Sequence, residues 1–133
     1  MNCGKYLFSQ ITDFLPKRYF ERLVMKECND RTQQWGLTYW NQMLVLMFGQ
    51  LDGCKSLREL TDITSAHANK SFHLGFGKTP INRSVLSKAN QLRDYHIFEE
   101  FAYYMVALAQ QKRIDKEFDL NGKYYAFDST TID

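Results

Sequence analysis

The chain has 133 residues, of which 44% are hydrophobic and 15% aromatic, so it can build the core of one ordinary domain, and global disorder is not expected. Its apolar runs are shorter than the roughly 20 residues that cross a bilayer, and the N-terminus lacks a signal-peptide pattern. Three cysteines with no C-x-x-C spacing favour free thiols in a reducing compartment. We therefore expect a cytosolic protein without a membrane partner.

The net charge of +2 is distributed unevenly along the chain. Residues 1–98 carry 13 Lys and Arg against 8 Asp and Glu, giving +5, whereas residues 99–133 carry 4 against 7, giving −3. A basic front followed by an acidic tail is typical of a polyanion-binding part joined to a different unit. An asymmetry of this size also arises by chance, so both interpretations stay open on charge alone.

The front of the chain predicts three helices. Leu7, Ile11, Phe14 and Leu15 recur at helical spacing and predict the apolar face of the first helix. Pro16 ends that segment and is suited to the first turn of the next helix. A polar loop at 29–36 precedes the third helix at 38–51, which stops before Gly53.

Three further helices are predicted between residues 56 and 114. The S-x-x-E pattern that begins at Ser56 is a capping box just before an apolar run and predicts the fourth helix. Glycine and proline predict a loop at 68–81. A fifth helix follows at 82–94, with its first residue, Asn82, as N-cap. The segment 96–114 is apolar nearly all round, which predicts a central sixth helix.

The character of the sequence changes after residue 113. The charged stretch 114–122 ends in an Asn-Gly turn signal, and KYYAF at 123–127 suits a strand. We therefore predict a mainly α fold, with a helical domain at 1–113 followed at 114–133 by a linker and one β-strand.

The third to fifth helices predict a helix-turn-helix-like unit, although the loop at 68–81 is far longer than the usual turn of about 3–4 residues. In the fifth helix one face is apolar and carries Val85, Leu86, Ala89 and Leu92. The opposite face carries side chains that recognise base edges or phosphate: Arg83, Ser84, Ser87, Lys88, Asn90 and Gln91. Further phosphate contacts are expected from Lys55, Arg58, Lys70, Lys78 and Arg93. A solvated helix face has the same composition, so DNA binding and simple solvation both remain open.

Asp128 follows the predicted strand and has three interpretations on residue type alone. It can be a turn residue at a strand end. It can be an aspartyl-phosphate nucleophile of the haloacid-dehalogenase type, although that pattern has a second Asp where Thr130 stands. It can also be the first metal-ligating carboxylate of a nuclease-type sheet. A two-metal centre needs several carboxylates from separate elements.

Five blocks of sequence, in order, resemble bacterial insertion-sequence DDE transposases of the IS-four family. They are GKYLFSQITDFLP, WNQMLVLMFGQL, SLRELTD, NRSVLSKANQLRDYHIFEEFA and FDSTTID, and they extend from Gly4 to Asp133. The resemblance implies a helical region that binds the terminal inverted repeats of double-stranded DNA. It also implies that the C-terminal strand begins an RNase H-like domain for cut-and-paste DNA transposition.

By the same resemblance, Asp128 would be the first catalytic Asp and a ligand of Mg²⁺, completed by a later Asp and a Glu. The chain contains neither those later residues nor the family's tyrosine–arginine–glutamate–lysine signature. We therefore expect this polypeptide alone to be inactive, as a transposase fragment or the product of an interrupted element, and to be nucleoid-associated in the bacterial cytoplasm. The alternatives are a helical protein–protein or homodimerisation module, a vestigial product, and a free-standing metal-dependent hydrolase.

Overall fold

The computed structural model describes residues 6–27, 36–71, 73–77 and 80–112, and these ranges are mainly helical, as predicted. Within them the helices are α1 (Leu7–Thr12), α2 (Lys17–Glu27), α3 (Tyr39–Asp52), α4 (Leu57–Ala66), α5 (Ala68–Ser71), α6 (Arg83–Leu92) and α7 (His96–Lys112). The predicted linker and strand at 114–133 lie outside these ranges. None of the described helices combines the length and apolar character that crossing a bilayer requires.

Local sequence signals end α3 and begin α4 where they were predicted. Gly53 closes α3 at a φ of 75°, a left-handed conformation that costs glycine nothing and strains other residues. Ser56 Oγ accepts a hydrogen bond from the backbone N–H of Glu59 at 3.1 Å. In return, Glu59 Oε2 accepts from the backbone N–H of Lys55 at 2.8 Å, so the predicted capping box forms.

Helix α3 is the central helix of the described part of the chain. Its Phe48 ring meets Phe8 of α1 edge-on, with centroids 5.4 Å apart, and its Trp40 meets Phe20 of α2 at 5.5 Å. Gly49 lets α3 approach α4 closely, because a Cβ at this position would lie only 3.1 Å from the methyl carbons of Leu60. Helices α1, α2 and α4 are therefore positioned in part by what they pack against α3.

The prediction that the sixth predicted helix, α7, is central was wrong. Helix α7 packs mainly against α2 and buries Ile97 and Phe101, whereas Tyr103 and Val106 are exposed. Tyr104 stacks on Tyr19 of α2 with ring centroids 3.7 Å apart. An apolar helix needs covering on several sides to be central, and among the described residues α2 and α3 cover one side of α7, as far as about Met105.

Two local predictions in the first 81 residues also need correction. The segment predicted as a loop at 68–81 contains the short helix α5. In α1 the buried side chain is Phe8, while Leu7 and Ile11 are exposed, so the buried face is one residue out of register with the predicted one.

Candidate nucleic-acid interface

Helix α6 carries most of the predicted DNA-contacting residues, and its own sequence defines its start. Asn82 Oδ1 accepts hydrogen bonds from the backbone N–H groups of Ser84 and Val85 at 2.8 and 3.4 Å, as expected of an N-cap. Leu86 and Ala89 are completely buried, and the helix packs against α4. One face of α6 is thus held in the core, and the opposite face is turned to solvent.

The solvent side of α6 carries six exposed polar or basic residues. Five of them form what we call the outer face: Arg83, Ser84, Ser87, Lys88 and Gln91. Within the described ranges, none of these side chains makes a hydrogen bond or an ion pair with another protein group. Because folding leaves them without protein partners, their donors and charges are available to a ligand.

The outer face belongs to a stretch of chain without acidic residues. Between Asp62 and Asp94 the sequence holds five Lys and Arg and not one Asp or Glu. Of these cations, Arg83 and Lys88 are exposed on α6, and Lys70 is exposed on α5. A carboxylate-free surface that carries several cations attracts polyanions. The net charges of residues 1–98 and 99–133 did not reveal this carboxylate-free stretch.

Two other predicted phosphate contacts have different outcomes. Arg58 is exposed on α4, the helix that packs against α6, and its guanidinium has no protein partner in the described part of the chain. Lys78 lies outside the described residues.

Arg93 is not the exposed phosphate contact that the sequence predicted. It is only 5% exposed, and its Nη1 donates to Gln42 Oε1 at 2.8 Å while its Nη2 donates to the Leu37 carbonyl. Its guanidinium also lies over the Tyr39 ring, 4.2 Å from the centroid. The helical repeat places residue 93 about one turn after Ala89, on the buried side of α6, which explains the correction.

Of two neighbours of the outer face, Asn90 agrees with the predicted pattern and Leu92 departs from it. Asn90 is exposed, but its Oδ1 accepts a hydrogen bond from Gln42 Nε2 at 2.7 Å. Leu92 is 59% exposed rather than buried, because it lies about a quarter of a turn from the buried line of α6. A shallow surface pocket is lined by Val85, Lys88, Gln91 and Leu92.

The arrangement of α3, α4 and α6 only partly matches a standard helix-turn-helix. Helices α4 and α6 pack together, and α3 contacts both, so the three helices form one unit. Residues 67–82, including α5, separate α4 from α6, whereas a standard unit has a turn of about 3–4 residues. The helix that follows the turn in such units is the one that enters the groove, and here that helix is α6.

A charged pair lies just beyond α6, at the start of α7. The backbone N–H of His96 donates to Asp94 Oδ1 at 3.0 Å, and His96 Nδ1 lies 2.6 Å from the same oxygen. The backbone hydrogen bond, with the ring contact, lowers the pKa of Asp94, and the hydrogen bond to Asp94 raises the pKa of His96. Both groups are exposed, so this pair marks the acidic border of the carboxylate-free stretch.

The predicted magnesium ligand and catalytic residue, Asp128, lies outside the described residues. In the ranges that are described, no three His, Cys, Asp or Glu side chains are grouped so as to hold a metal ion.

Residues 3–77 match a family model described as a domain of unknown function (DUF4372), and the match spans more than half of the chain. The matched range includes α1 to α5 and ends before α6. Neither the curated proteins nor the solved structures contain a match.

Proposed function

We propose that this chain, which belongs to the DUF4372 family, is the DNA-binding region of a transposase-like protein and contacts duplex DNA through the outer face of α6. The family's domain is found in transposase-like proteins. The observation that carries the proposal is the outer face itself. Its five exposed side chains have no protein partners among the described residues and lie in a stretch without carboxylates.

The dimensions and chemistry of α6 suit the major groove. Its ten residues span about 15 Å, and the groove is about 12 Å wide and admits one α-helix. Arg83 can donate two hydrogen bonds to guanine O6 and N7, and Gln91 can pair with adenine through its amide. Lys88, with Arg58 on the neighbouring helix, supplies positive charge for phosphates, which position a protein without specifying sequence.

The DNA in this proposal is the inverted repeat at the ends of a mobile element, and the protein would be associated with the bacterial nucleoid. This part of the proposal comes from the resemblance of the sequence blocks to DDE transposases. The assignment of Asp128 as a catalytic Mg²⁺ ligand remains a prediction from the same resemblance.

The test begins with selection of tight binders from a library of randomised duplexes by the full chain. Arg83→Ala and Gln91→Ala should each relax the selected consensus at one or two base pairs, losing about 1–3 kcal/mol of discrimination. Lys88→Ala should weaken binding to all duplexes alike, since phosphate contacts carry no sequence information. The readouts are the selected consensus and the affinity for matched and mismatched duplexes.

Arg18→Ala is the matched control. Arg18 is an exposed cation on α2, which packs against α7 and α3, and its side chain has no partner in the described residues. The substitution removes one positive charge from α2 rather than from α6, and it should preserve the selected consensus. If the outer-face variants all keep the wild-type consensus and affinity, α6 is not the DNA-reading helix. If the wild type binds no duplex at low salt, the proposed function is wrong.

A second candidate function is a helical protein–protein module, and an apolar surface beside α1 favours it. Leu7 and Leu51 are 72% and 63% exposed, and together with Ile11 they border a surface pocket floored by Phe8 and Phe48. Apolar surface of this kind marks interaction sites. A dimer in light scattering that Leu7→Glu and Leu51→Glu convert to monomer, together with no duplex binding at low salt, would favour this candidate.

A further inference from the structure

A chain of three polar side chains connects the interior of the protein with the DNA-facing side of α6. Arg93 Nη1 donates to Gln42 Oε1 at 2.8 Å, and Gln42 Nε2 donates to Asn90 Oδ1 at 2.7 Å. Arg93 and Gln42 are 5% and 2% exposed, whereas Asn90 is exposed at the edge of the outer face. The hydrogen bonds therefore run from the buried cation of Arg93, at the C-terminal cap of α6, through Gln42 of α3 and back to the surface of α6.

The direction of this chain follows from the chemistry of its first member. A guanidinium has donors only, so the Gln42 atom that meets Arg93 must be the carbonyl oxygen. The amide nitrogen of Gln42 then faces Asn90, and because it is a donor it requires the oxygen of Asn90. Amide orientations are assigned from such networks, and this network leaves one consistent assignment.

The position of Arg93 is itself fixed independently of Gln42. Its Nη2 donates to the Leu37 carbonyl, and its guanidinium packs over the Tyr39 ring at 4.2 Å. Buried donors and acceptors that lose their partners cost free energy, so Arg93 and Gln42 do not rotate without breaking a buried bond, and the partly buried bond from Gln42 to Asn90 is held by their orientation. Asn90 therefore meets a ligand with its amide group already oriented.

We propose that Asn90 is a specificity-determining residue that presents the Nδ2 amide as a fixed donor and selects guanine at one base pair. This inference deepens the proposed DNA-binding function and rests on it. Asparagine pairs with adenine when its oxygen and its nitrogen are both available, because adenine offers the N6 donor and the N7 acceptor. Here Oδ1 is engaged by Gln42, and the two Nδ2 hydrogens match the guanine edge, where O6 and N7 both accept.

Gln42→Glu tests the mechanism without touching the DNA-facing surface. The carboxylate pairs with Arg93 through one oxygen and offers only an acceptor toward Asn90 through the other. Asn90 then turns its amide over, donates inward and presents Oδ1 outward. The preference at the position that Asn90 contacts should change from guanine to a base with an exposed donor, adenine or cytosine, by roughly fivefold or more in relative affinity.

The matched control is Gln50→Glu. Gln50 is exposed on the same helix α3, and its side chain has no partner among the described residues, so the substitution makes the same amide-to-carboxylate change outside the hydrogen-bond chain. It should leave the base preference unchanged. Asn90→Asp is the second variant, since it keeps the acceptor for Gln42 but removes the outward donor, and it should abolish the preference for guanine.

Two measurements on the full chain separate this inference from the function on which it rests. NMR on the free protein measures how fast the side-chain amide protons exchange with solvent. In the wild type, exchange should be slow for the amide protons of Gln42 and fast for those of Asn90. In Gln42→Glu, exchange of the Asn90 amide protons should become slower, because that amide then donates inward. Fast exchange at Gln42 in the wild type would overturn the proposed orientation.

The second measurement is the affinity of the wild type and both variants for four duplexes that differ at the base pair affected by Asn90→Asp. A change of preference in Gln42→Glu, with none in Gln50→Glu, supports the inference. Duplex binding with the same preference in wild type and Gln42→Glu overturns this inference alone. The absence of any duplex binding by the wild type overturns the proposed function and, with it, the role of Asn90.

Discussion

The central helix α3 makes two contacts that are held together in different ways. Toward α2 and α7 the contact is aromatic: Trp40 of α3 meets the fully buried Phe20 of α2 at a centroid distance of 5.5 Å. Phe20 in turn meets Phe98 and Phe101 of α7 at 5.9 and 5.0 Å. Burial of these rings contributes free energy in proportion to area and does not depend on the direction of a bond.

Toward α6 the same helix makes a polar contact through Gln42, which bonds to both Arg93 and Asn90. A buried hydrogen bond contributes little net free energy, but a broken one is costly and its geometry is directional. The aromatic contact thus accounts for stability, and the polar contact accounts for how α6 presents its surface.

The largest loss of stability is expected from the aromatic contact. Phe20→Ala should lower the free energy of unfolding by about 3–5 kcal/mol, because it leaves a cavity among three rings. Urea denaturation followed by circular dichroism measures the loss. Phe14→Ala is the control, since Phe14 is 78% exposed and its removal should change stability by at most about 0.5 kcal/mol. Equal effects of the two substitutions would contradict the assigned core.

A smaller loss is expected from the polar contact. Arg93→Ala leaves the buried oxygens of Gln42 and Leu37 without the Arg93 donors, which should cost about 2–3 kcal/mol in the same urea experiment. Arg83→Ala removes the same side chain from the exposed side of the same helix and should cost at most about 0.5 kcal/mol. A cost for Arg93→Ala no larger than that for Arg83→Ala would show that Arg93 is not buried.

Substitution of the N-cap residue of α6 is expected to lower the free energy of unfolding by about 1 kcal/mol. Asn82→Ala removes the oxygen that accepts from the backbone N–H groups of Ser84 and Val85, and loss of an N-cap has this typical cost. Asn82→Asp keeps an acceptor at the same position and should retain stability, measured by thermal unfolding. If Asp destabilises as much as Ala, capping is not the role of Asn82.

The smallest effect is expected from the exposed pair Asp94 and His96, and it depends on pH. The pKa of His96 is raised above its ordinary 6.5, so its contribution to stability is complete below that value and is lost as the pH rises through the raised pKa. The pKa of Asp94 is lowered below 3.8, so its contribution is present above that value and is lost as the pH falls through the lowered pKa.

The pair therefore contributes most between pH 3.8 and 6.5. Thermal unfolding of wild type and His96→Ala across this range and on both sides of it measures the contribution. The two proteins should differ most inside the window and converge outside it. A difference that stays constant with pH would contradict the charged pair.

The sequence correctly predicted those helix boundaries that depend on contacts within a few residues of the chain. The capping box at Ser56, the stop at Gly53 and the N-cap at Asn82 each act on backbone groups within about one helical turn of themselves. Local chemistry is enough to place such boundaries. The mainly helical character of the described residues and the exposure of six polar or basic residues on α6 followed from periodicity in the same way.

Contacts between distant parts of the chain could not be predicted from capping signals or hydrophobic periodicity. Arg93 was expected on the surface because arginine is rarely buried, but Gln42 and the Leu37 carbonyl, 51 and 56 residues earlier, supply its partners. Asn90 is engaged by Gln42 at a separation of 48 residues. Only the packing of α3 against α6 brings these groups together, and no local signal encodes that packing.

The exposed side of α7 likewise shows that local sequence signals do not predict which apolar residues become buried. The sequence shows that Tyr103 and Val106 have largely apolar side chains, but their burial depends on which helices pack over them, and both are exposed. The DNA-binding role of the outer face and the assignment of Asp128 to Mg²⁺ remain predictions, since a sequence pattern indicates chemistry without supplying a ligand.

The measurement that tests the central claim most directly is the salt dependence of duplex affinity. Fluorescence anisotropy across a salt series should be run on wild type, on the double variant Arg83→Ala with Lys88→Ala, and on Arg18→Ala. Because Lys88 contacts a phosphate whereas Arg83 contacts a base, the logarithmic slope of the double variant should be shallower than that of the wild type by about one, and the slope of Arg18→Ala should be unchanged. Identical slopes for all three proteins would contradict the assignment of the outer face of α6 as the DNA-binding surface.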